Sequence, residues 1–385
     1  MSTITPASGV RPSVFNVDEL SPGRIFNFSA GPGVLPEEVI RQAQEDLWNI
    51  DGSGIGILEH SHRAKVYDKI LAEAEENCRK VANIPANYKV LFLTGGATTQ
   101  NFMIPANLLP DDGVAAYLTT GYWAEKTWEE SKFYSGKCYE AWDGRPHKHA
   151  FCPGDAELRY SDAKPAYVHM CSNNTIYGTQ WHHLPDVPVG VPLVNDASSD
   201  IFCRPVDIAR YGMIYGGAQK NLSIAGLTLV IVREDLVGKA PAATPAYLNY
   251  ATHAKERSLY NTPPVFGIYI LHLVLKHLLA EGGLQAVEAK NRRKAAKLYA
   301  AIDGSGGYYR GHALPESRSW MNVTFRLPSE ELEKKFVAEA TADGLDGLKG
   351  HRSVGGIRAS IYNAFPEAGV DALIAFMADF ARKNG

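Results

Sequence analysis

Short apolar segments alternate with helix-length segments along the first two thirds of this chain. In the helix predicted from residue 36, for example, Val39, Ala43 and Leu47 fall on one face. Continuous apolar runs that alternate with helices are typical of a mainly parallel, doubly wound sheet. The predicted strands are residues 89–94, 114–120, 137–142, 166–170, 192–196, 213–215 and 227–232.

The pattern changes after residue 282, where helical periodicity over 284–302, 329–342 and 367–383 surrounds two short strand-like runs. This arrangement favours a second, smaller α+β domain. We therefore predict a large α/β domain at 37–282 and a small domain made of 23–36 and 283–385. Residues 1–22 are rich in Ser, Thr and Pro and lack the apolar segment of a secretory signal, so we predict that they form a flexible extension.

Lys220 lies between two of the predicted strands, after a break at Gly216 and Gly217. Desolvation at such a position lowers the pKa of a lysine and makes it a nucleophile able to form a Schiff base. Asp196 ends the strand about two dozen residues earlier. A carboxylate that keeps a pyridine nitrogen protonated, together with a Schiff-base lysine, is what pyridoxal phosphate requires. Taken alone, Lys220 could extend into solvent and Asp196 could cap a helix.

Other polar features fall where ligands collect in such sheets, beyond the carboxyl ends of the strands. Gly95 and Gly96 form a turn that opens a helix, and exposed backbone N–H groups there favour an anion. Cationic side chains cluster in two segments, at residues 62–63 and 349–358. Guanidinium groups match phosphate and carboxylate in bidentate fashion, although a solvated run of charge is the alternative for each segment.

Composition narrows the possible partners. The chain has 385 residues with a formal net charge of −3, which provides no basic field for nucleic acid or anionic lipid. The longest apolar stretch, near residues 266–279, is interrupted by His272, Lys276 and His277, so we expect no membrane span. Five scattered cysteines predict reduced thiols in a cytoplasmic compartment and no metal site.

Six segments resemble the phosphoserine aminotransferase family, a branch of the class V pyridoxal-phosphate-dependent aminotransferases. The likeness runs from about residue 25 to the C-terminus and implies fold type I, with a mainly parallel seven-stranded sheet in the large domain. The segments are FNFSAGP (26–32), SHR (61–63), GYW (121–123), YGGAQKN (215–221), NTPP (261–264) and KGHRSVGGIRASIYN (349–363).

The resemblance also implies individual roles. Lys220 would bind the cofactor aldehyde and then move a proton between the substrate Cα and the cofactor, and Asp196 would pair with the pyridine nitrogen. Further cofactor contacts would come from Trp123 on the ring, Thr175 on the phenolic oxygen, Ala97, Thr98 and Gln219 on the phosphate, and Asn261 and Thr262 on the phosphate of a neighbouring subunit. Substrate contacts would come from Arg358 on the α-carboxylate, and from His62, Arg63, His351 and Arg352 on the phosphate of phosphoserine or the side-chain carboxylate of glutamate.

One position departs from part of the family. Some bacterial members carry arginine where this chain has Thr98. Backbone amides and the Thr98 hydroxyl would then carry more of the binding of the cofactor phosphate. Cofactor affinity is the property that this difference affects most directly.

The resemblance implies ping-pong transamination between O-phospho-L-serine and 2-oxoglutarate, with 3-phosphohydroxypyruvate and L-glutamate as the other pair. The pathway would be L-serine biosynthesis, with 4-phosphohydroxy-L-threonine in pyridoxine biosynthesis as a further substrate. A homodimer with shared active sites is also implied, and we expect His351 and Arg352 to come from the partner subunit.

Two alternatives remain open on the sequence. Another class V activity, such as cysteine desulfuration or transamination of a different amino acid, would keep Lys220 and Asp196. It would not call for four cationic side chains at the distal end of the substrate. A non-catalytic cofactor-binding or regulatory module is the second alternative, but such modules usually carry a nucleic-acid-binding part, for which this chain lacks the charge.

Overall fold

The structure is a computed structural model that describes residues 23–134 and 137–385, so the extension predicted at 1–22 lies outside the described residues. The strands are β1 Phe26–Asn27, β2 Tyr88–Thr94, β3 Ala115–Thr119, β4 Cys138–Asp143, β5 Val168–Cys171, β6 Asn173–Asn174, β7 Thr179–Gln180, β8 Leu193–Asp196, β9 Met213–Gly217, β10 Leu227–Arg233, β11 Arg310–Gly311, β12 Asn322–Arg326, β13 Leu345–Asp346 and β14 Ile357–Ser360. The α-helices are α1 Glu37–Asp46, α2 Lys65–Ala82, α3 Gln100–Leu108, α4 Tyr122–Ser131, α5 Tyr250–Lys255, α6 Val265–Ala280, α7 Gly283–Asp303, α8 Glu330–Ala342 and α9 Glu367–Asn384.

The central sheet has seven strands in the order β2-β10-β9-β8-β5-β3-β4. Only β10 runs against its neighbours, and the pairs among β9, β8, β5, β3 and β4 are all parallel. The reason is the connection: residues 218–226 join β9 to β10 without a helix, and a parallel return needs a longer crossover. The prediction of a mainly parallel seven-stranded sheet is confirmed.

Both faces of this sheet are covered, which explains why its strands are continuously apolar. Successive residues of β2 point to opposite faces, so Phe92 enters the first core, on one face of the sheet, while Leu91 and Leu93 join a smaller apolar cluster on the other face. The first core also receives the buried faces of α2 and α6, which pack against each other. Helix α2 ends where Asn83 adopts a left-handed conformation with φ 49°, the usual way to stop a helix.

A second core lies around the antiparallel sheet β11-β12-β14 and the helices α7, α8 and α9. Its largest members include Phe325, Phe336 and Phe380, and the N-terminal residues Phe26 and Phe28 join it because β1 pairs with β13. Helix α7 serves both cores. Its first turns contribute Leu284 and Val287 to the first core, whereas Ala295, Leu298 and Ile302 pack in the second. The domain boundary at residue 282 stays a prediction.

Among the described residues, no single helix is both long enough and apolar enough to cross a membrane. Helices α6 and α7 together meet the length and composition criteria, but they are bent by 85° relative to each other.

Candidate active site

A cavity of about 300 Å³ opens at the carboxyl end of the central sheet, within the range of roughly 300–1,000 Å³ that small-molecule sites occupy. It lies beyond the ends of β5, β8 and β9, and Ala30, Gly31, His351 and Arg358 form other parts of its wall. The predicted site residues that line it are Ala97, Thr98, Trp123, Thr175, Asp196, Gln219, Lys220, His351 and Arg358.

Lys220 follows the end of β9 in a tight turn, and its partly exposed side chain lines the cavity. Within residues 23–134 and 137–385, its amine has neither a hydrogen bond nor an ion pair. Burial lowers the pKa of Lys220, while Asp196 and Cys171 oppose that effect. The segment before α1 packs against this lysine, since Gly33 N donates to the Gln219 carbonyl at 2.7 Å. A neutral, nucleophilic amine is the form that such surroundings favour.

Asp196 is the last residue of β8, and one of its carboxylate oxygens is held firmly. Oδ1 accepts hydrogen bonds from Ser198 N at 2.9 Å and from Ser198 Oγ at 2.6 Å. Ser198 Oγ in turn accepts from Gly217 N at 3.0 Å, so the ends of β8 and β9 are tied together. No described residue donates to Oδ2 of Asp196. The carboxylate therefore has an oxygen free to accept a hydrogen bond from a ligand.

The indole of Trp123 forms another wall of the cavity that Lys220 and Asp196 line. Trp123 is the second residue of α4, and its indole Nε1 donates to Thr175 Oγ1 at 3.3 Å. The approach of these two segments requires glycine at position 121, because an added Cβ there would collide with the Asn174 side chain. Thr127, one turn along α4, donates to Asn101 Oδ1 at 3.0 Å and ties α4 to α3.

The glycine turn after β2 supplies the anion-binding corner predicted from the sequence. Gly95 has φ 109°, which only glycine adopts readily, and residues 97–99 form a short 3₁₀ turn that leads into α3. Backbone N–H groups at such a helix start are free to bind an anion. Gln219 lies beside them, and its buried Oε1 has no donor among the described residues. That side chain still requires a polar partner.

Two cationic side chains form the opposite wall. Arg358 lies on β14 and donates to the Thr175 carbonyl at 3.5 Å. It forms no ion pair with any described carboxylate, and burial lowers the pKa of its guanidinium. The His351 ring lies 6.0 Å from that of Tyr122, and His351 Nδ1 is 2.7 Å from Ser353 Oγ. Burial and the nearby charges of Arg358 and Arg352 lower the pKa of His351.

Five predicted site residues do not line the cavity of their own chain. His62 is half-buried and Arg63 exposed in the turn before α2, and Arg352 is exposed beyond His351. Asn261 lies near the end of β2, where its Nδ2 donates to Thr94 Oγ1 at 3.2 Å, and Thr262 follows it. His351 lines the cavity of its own chain, and the expectation that His351 and Arg352 come from the partner subunit stays a prediction.

Sequence reasoning missed several polar residues of the pocket, of which Ser198 has the clearest role. A hydroxyl two residues after a strand-terminal aspartate can bond to that carboxylate, so the DASSD segment at 196–200 carried a usable signal. The link between Asn101 and Thr127 joins two separate helices and carried no such signal.

Comparison with known proteins gives a consistent result. The profile of the aminotransferase class-V family matches residues 25–373. The phosphoserine aminotransferase of Herpetosiphon aurantiacus is 52% identical over 94% of this chain and 99% of its own length. Phosphoserine aminotransferase 1, chloroplastic, of Arabidopsis thaliana is 47% identical over all of this chain and 87% of its own length.

Solved structures agree. The phosphoserine aminotransferase of Bacillus circulans subsp. alkalophilus superposes with a TM-score of 0.91 at 48% identity, over 94% of this chain and 99% of that one. The PLP-bound phosphoserine aminotransferase of Trichomonas vaginalis gives 0.87 at 36% identity, over 92% of this chain and all of that one. This chain therefore belongs to the class V aminotransferases and, within them, to the phosphoserine aminotransferase family.

Proposed function

We propose that this chain is a pyridoxal-phosphate-dependent aminotransferase of L-serine biosynthesis. It exchanges an amino group between O-phospho-L-serine and 2-oxoglutarate, with 3-phosphohydroxypyruvate and L-glutamate as the other pair. The observation that carries the proposal is the juxtaposition, in one cavity, of Lys220, the free oxygen of Asp196 and Arg358. Family membership supports the choice of substrates.

The residues present fit pyridoxal phosphate. Lys220 would hold its aldehyde, Asp196 Oδ2 its ring nitrogen, and Trp123 and Thr175 its ring face and phenolic oxygen. The N–H groups of Ala97 and Thr98, together with Gln219, would hold the phosphate. The free Asp196 oxygen is an acceptor that still needs a donor, which a protonated ring nitrogen would supply, and Gln219 would donate to the phosphate through its amide nitrogen. When bound, pyridoxal phosphate acts as an electron sink that weakens the bonds at the substrate Cα.

The remaining chemistry belongs to Lys220 and Arg358. The lowered pKa of Lys220 increases the fraction of neutral amine, which can accept the proton from the substrate Cα and return it elsewhere on the reacting unit. Arg358 would clamp the substrate α-carboxylate by two parallel hydrogen bonds and so fix the Cα–H bond relative to the lysine. Because burial removes part of the solvent around Lys220 and Arg358, these charge interactions are stronger than in water.

The proposed enzyme is a homodimer whose subunits complete each other's sites. His351 lines the cavity of its own chain, whereas His62 and Arg63 lie outside that cavity and would reach the pocket of the partner. The loop before them exposes Trp48 (87%) and Leu58 (63%), and large exposed apolar side chains mark interaction surfaces. Asn261 and Thr262 would complete the phosphate site of the partner in the same way.

Two finer points belong to the same proposal. The pocket would also accept 4-phosphohydroxy-L-threonine, which carries its phosphate at the same distal end as phosphoserine. The enzyme would act in the cytoplasm, since all five cysteines are buried free thiols, as in proteins of reducing compartments.

A half-reaction tests the activity directly. Holoenzyme mixed with phosphoserine and no keto acid should lose its visible absorbance and release one 3-phosphohydroxypyruvate per site. Addition of 2-oxoglutarate should restore the absorbance and yield glutamate. Serine, which lacks the phosphate, is the control and should react poorly. Release of no keto acid would overturn the proposal, and equal reaction with serine would overturn the assignment of the phosphate end.

Hybrid dimers test the sharing of sites. Lys220→Ala and Arg63→Ala proteins, each nearly inactive, are mixed after reversible dissociation. If Arg63 serves the partner, each hybrid has one complete site, and random pairing restores about a quarter of wild-type activity. The matched control pairs Lys220→Ala with Arg358→Ala, two residues that serve the same chain, and should restore nothing. Absence of recovery in demonstrated Arg63 hybrids would reject the crossing.

A further inference from the structure

Strand β14, which carries Arg358, lies against the hairpin β6-β7 of the pocket wall. Asn322 and Thr324 of β12 pair with Ser360 and Arg358 of β14. The apolar residues that alternate with them on both strands pack in the second core, so these four side chains point to the opposite face. On that face, Thr324 Oγ1 donates to the carbonyl of Tyr177 in the hairpin turn at 2.9 Å. The small domain and the pocket wall therefore meet along these two strands.

The guanidinium of Arg358 is held only weakly by its own contacts. It has no ion pair among the described residues, and its one hydrogen bond there is long, 3.5 Å to the carbonyl of Thr175 in the same hairpin turn. Its position is therefore set by where β14 lies relative to the hairpin. A clamp of two parallel hydrogen bonds on a carboxylate needs accurate placement, and a displacement of about 1 Å can lower a rate about 100-fold.

Asn322 joins the hairpin to β14 through a single side-chain amide. Its Oδ1 accepts from Asn173 Nδ2 at 2.8 Å, and its Nδ2 donates to Ser360 Oγ at 2.9 Å and to the Tyr362 hydroxyl at 3.2 Å. The side chain is fully buried. Both N–H donors and the oxygen of the amide are therefore used, with the oxygen directed at the large domain and the nitrogen at the small one.

The groups around this amide are themselves fixed, and several of them reach the pocket. Asn173 Nδ2 also donates to Ser199 Oγ at 2.7 Å, and Asn173 Oδ1 accepts from Ser319 Oγ at 2.5 Å. The Tyr362 hydroxyl donates to the carbonyl of Ala30 at 2.6 Å. Asn173, Ser199 and Ala30 line the cavity. A flipped amide at position 322 would place two N–H₂ groups side by side, so the network admits one orientation.

Resting on the proposed function, we propose that Asn322 is a positioning residue that holds Arg358 in place for the substrate α-carboxylate. It bonds to Asn173, two residues before Thr175. It also bonds to Ser360, two residues after Arg358. One amide thus fixes the distance between the cofactor wall and the carboxylate clamp. Both amino acids and both keto acids of the proposed reaction carry an α-carboxylate, so the effect applies to all four.

The test compares the two half-reactions of Asn322→Ala holoenzyme. The kcat/KM values for phosphoserine and for L-glutamate should fall by similar factors, about 10- to 100-fold, because one clamp serves both substrates. The fall should come mainly from KM, since the carboxylate is held in the ground state as well as in the transition state. The dissociation constant of α-methyl-L-glutamate, which has no Cα proton to lose, should rise in parallel by calorimetry. That of the cofactor should stay near wild type.

A double-mutant cycle separates this role from a general loss of stability. Arg358→Ala removes the clamp, so adding Asn322→Ala to it should change kcat/KM by no more than about twofold. Factors that multiply in the double variant would show that Asn322 acts independently of Arg358 and would overturn the inference.

Two single variants complete the design. Ser360→Ala removes one of the hydrogen bonds of Asn322 and should change the same quantities in the same direction by less, even if Asn322→Ala folds poorly. Asn291→Ala is the matched control, because this equally buried asparagine on α7 donates to the Cys203 carbonyl at 3.0 Å and to Asn363 Oδ1 at 2.8 Å. It should lower the free energy of unfolding and leave both kcat/KM values unchanged.

The outcomes separate the two proposals. Kinetics of Asn322→Ala and Ser360→Ala that coincide with wild type would overturn this inference alone. A wild-type holoenzyme that releases no keto acid from phosphoserine would overturn the proposed function as well.

Discussion

Two enclosed lysines of this molecule have opposite surroundings. Lys294, on α7, is fully buried, and its ammonium donates to the carbonyls of Ile361 at 2.9 Å, Tyr362 at 2.6 Å and Phe365 at 3.1 Å. Lys220 lines a cavity and has no hydrogen-bond partner in the part of the chain that the structure describes. An ammonium has three N–H donors, so Lys294 is completely satisfied and Lys220 is not.

The difference shows that burial by itself does not identify a reactive lysine. Burial lowers the pKa of both groups, and that of Lys294 lies well below its ordinary value, yet all three N–H donors of the Lys294 ammonium have carbonyl acceptors. Lys294 holds the turn after β14, the strand that carries Arg358, and so acts through structure. The amine of Lys220 has a lone pair when neutral, or N–H donors when charged, that no described residue uses, and it lines the cavity in which a ligand can bind. An unsatisfied polar group beside a cavity is the feature that marks the chemical site.

The largest effect is expected from Lys220→Ala. The change removes the group that accepts and returns the Cα proton, so kcat should fall at least about 1,000-fold. Near pH 10.5, where Lys220 contributes little through its lowered pKa, the free energy of unfolding should change little, because no hydrogen bond from this amine is lost. Single-turnover transamination and denaturant unfolding measure the two quantities. Borohydride reduction of wild-type holoenzyme should attach the cofactor to Lys220, and labelling of a different lysine would contradict the assignment.

Lys294→Met should give the reverse pattern. Three buried carbonyls lose their donor, so the free energy of unfolding should fall by about 2–5 kcal/mol, while kcat of the folded holoenzyme stays near wild type. Lys297→Met is the matched control, one turn away on the same helix, where exposed ion pairs with Glu367 and Asp371 contribute at most about 1 kcal/mol. Equal losses in the two variants would show that the three carbonyls contribute nothing special.

The same contrast explains what could be predicted from the sequence. The strands around Lys220 and Asp196 appear as apolar runs because both faces of the sheet are covered, and the glycines between them mark the turns. Lys294 lies in the segment NRRKAAK, which has the pattern of an exposed charged helix face. Its acceptors are backbone carbonyls 67 to 71 residues away. Because every residue has a backbone carbonyl, the residue types do not show which carbonyls accept these bonds.

Other features of the structure could not be predicted from the sequence, for related reasons. The two-residue strands β1, β6, β7, β11 and β13 are too short for any periodicity to register. The subunit that supplies His351 stays a prediction, because residue types do not reveal against which chain a loop folds. The reversed direction of β10 follows from the length of a connection, a property that the apolar pattern does not contain.

The smallest expected effect concerns the pH dependence of stability in the cofactor-free protein, to which both lysines contribute. The pKa of Lys220 in the folded chain lies below its ordinary value near 10.5, so unfolding binds a proton between those two values. Stability therefore rises with pH across that window, by up to about 1.4 kcal/mol per pH unit for one proton. Lys220→Ala removes this contribution and should flatten the dependence between pH 7 and pH 10. Lys294→Met should flatten the dependence as well, because burial also lowers the pKa of Lys294. Denaturant unfolding across that range measures the slopes, and equal slopes in wild type and Lys220→Ala would mean that the amine is charged in both states and that the pocket does not favour the nucleophilic form.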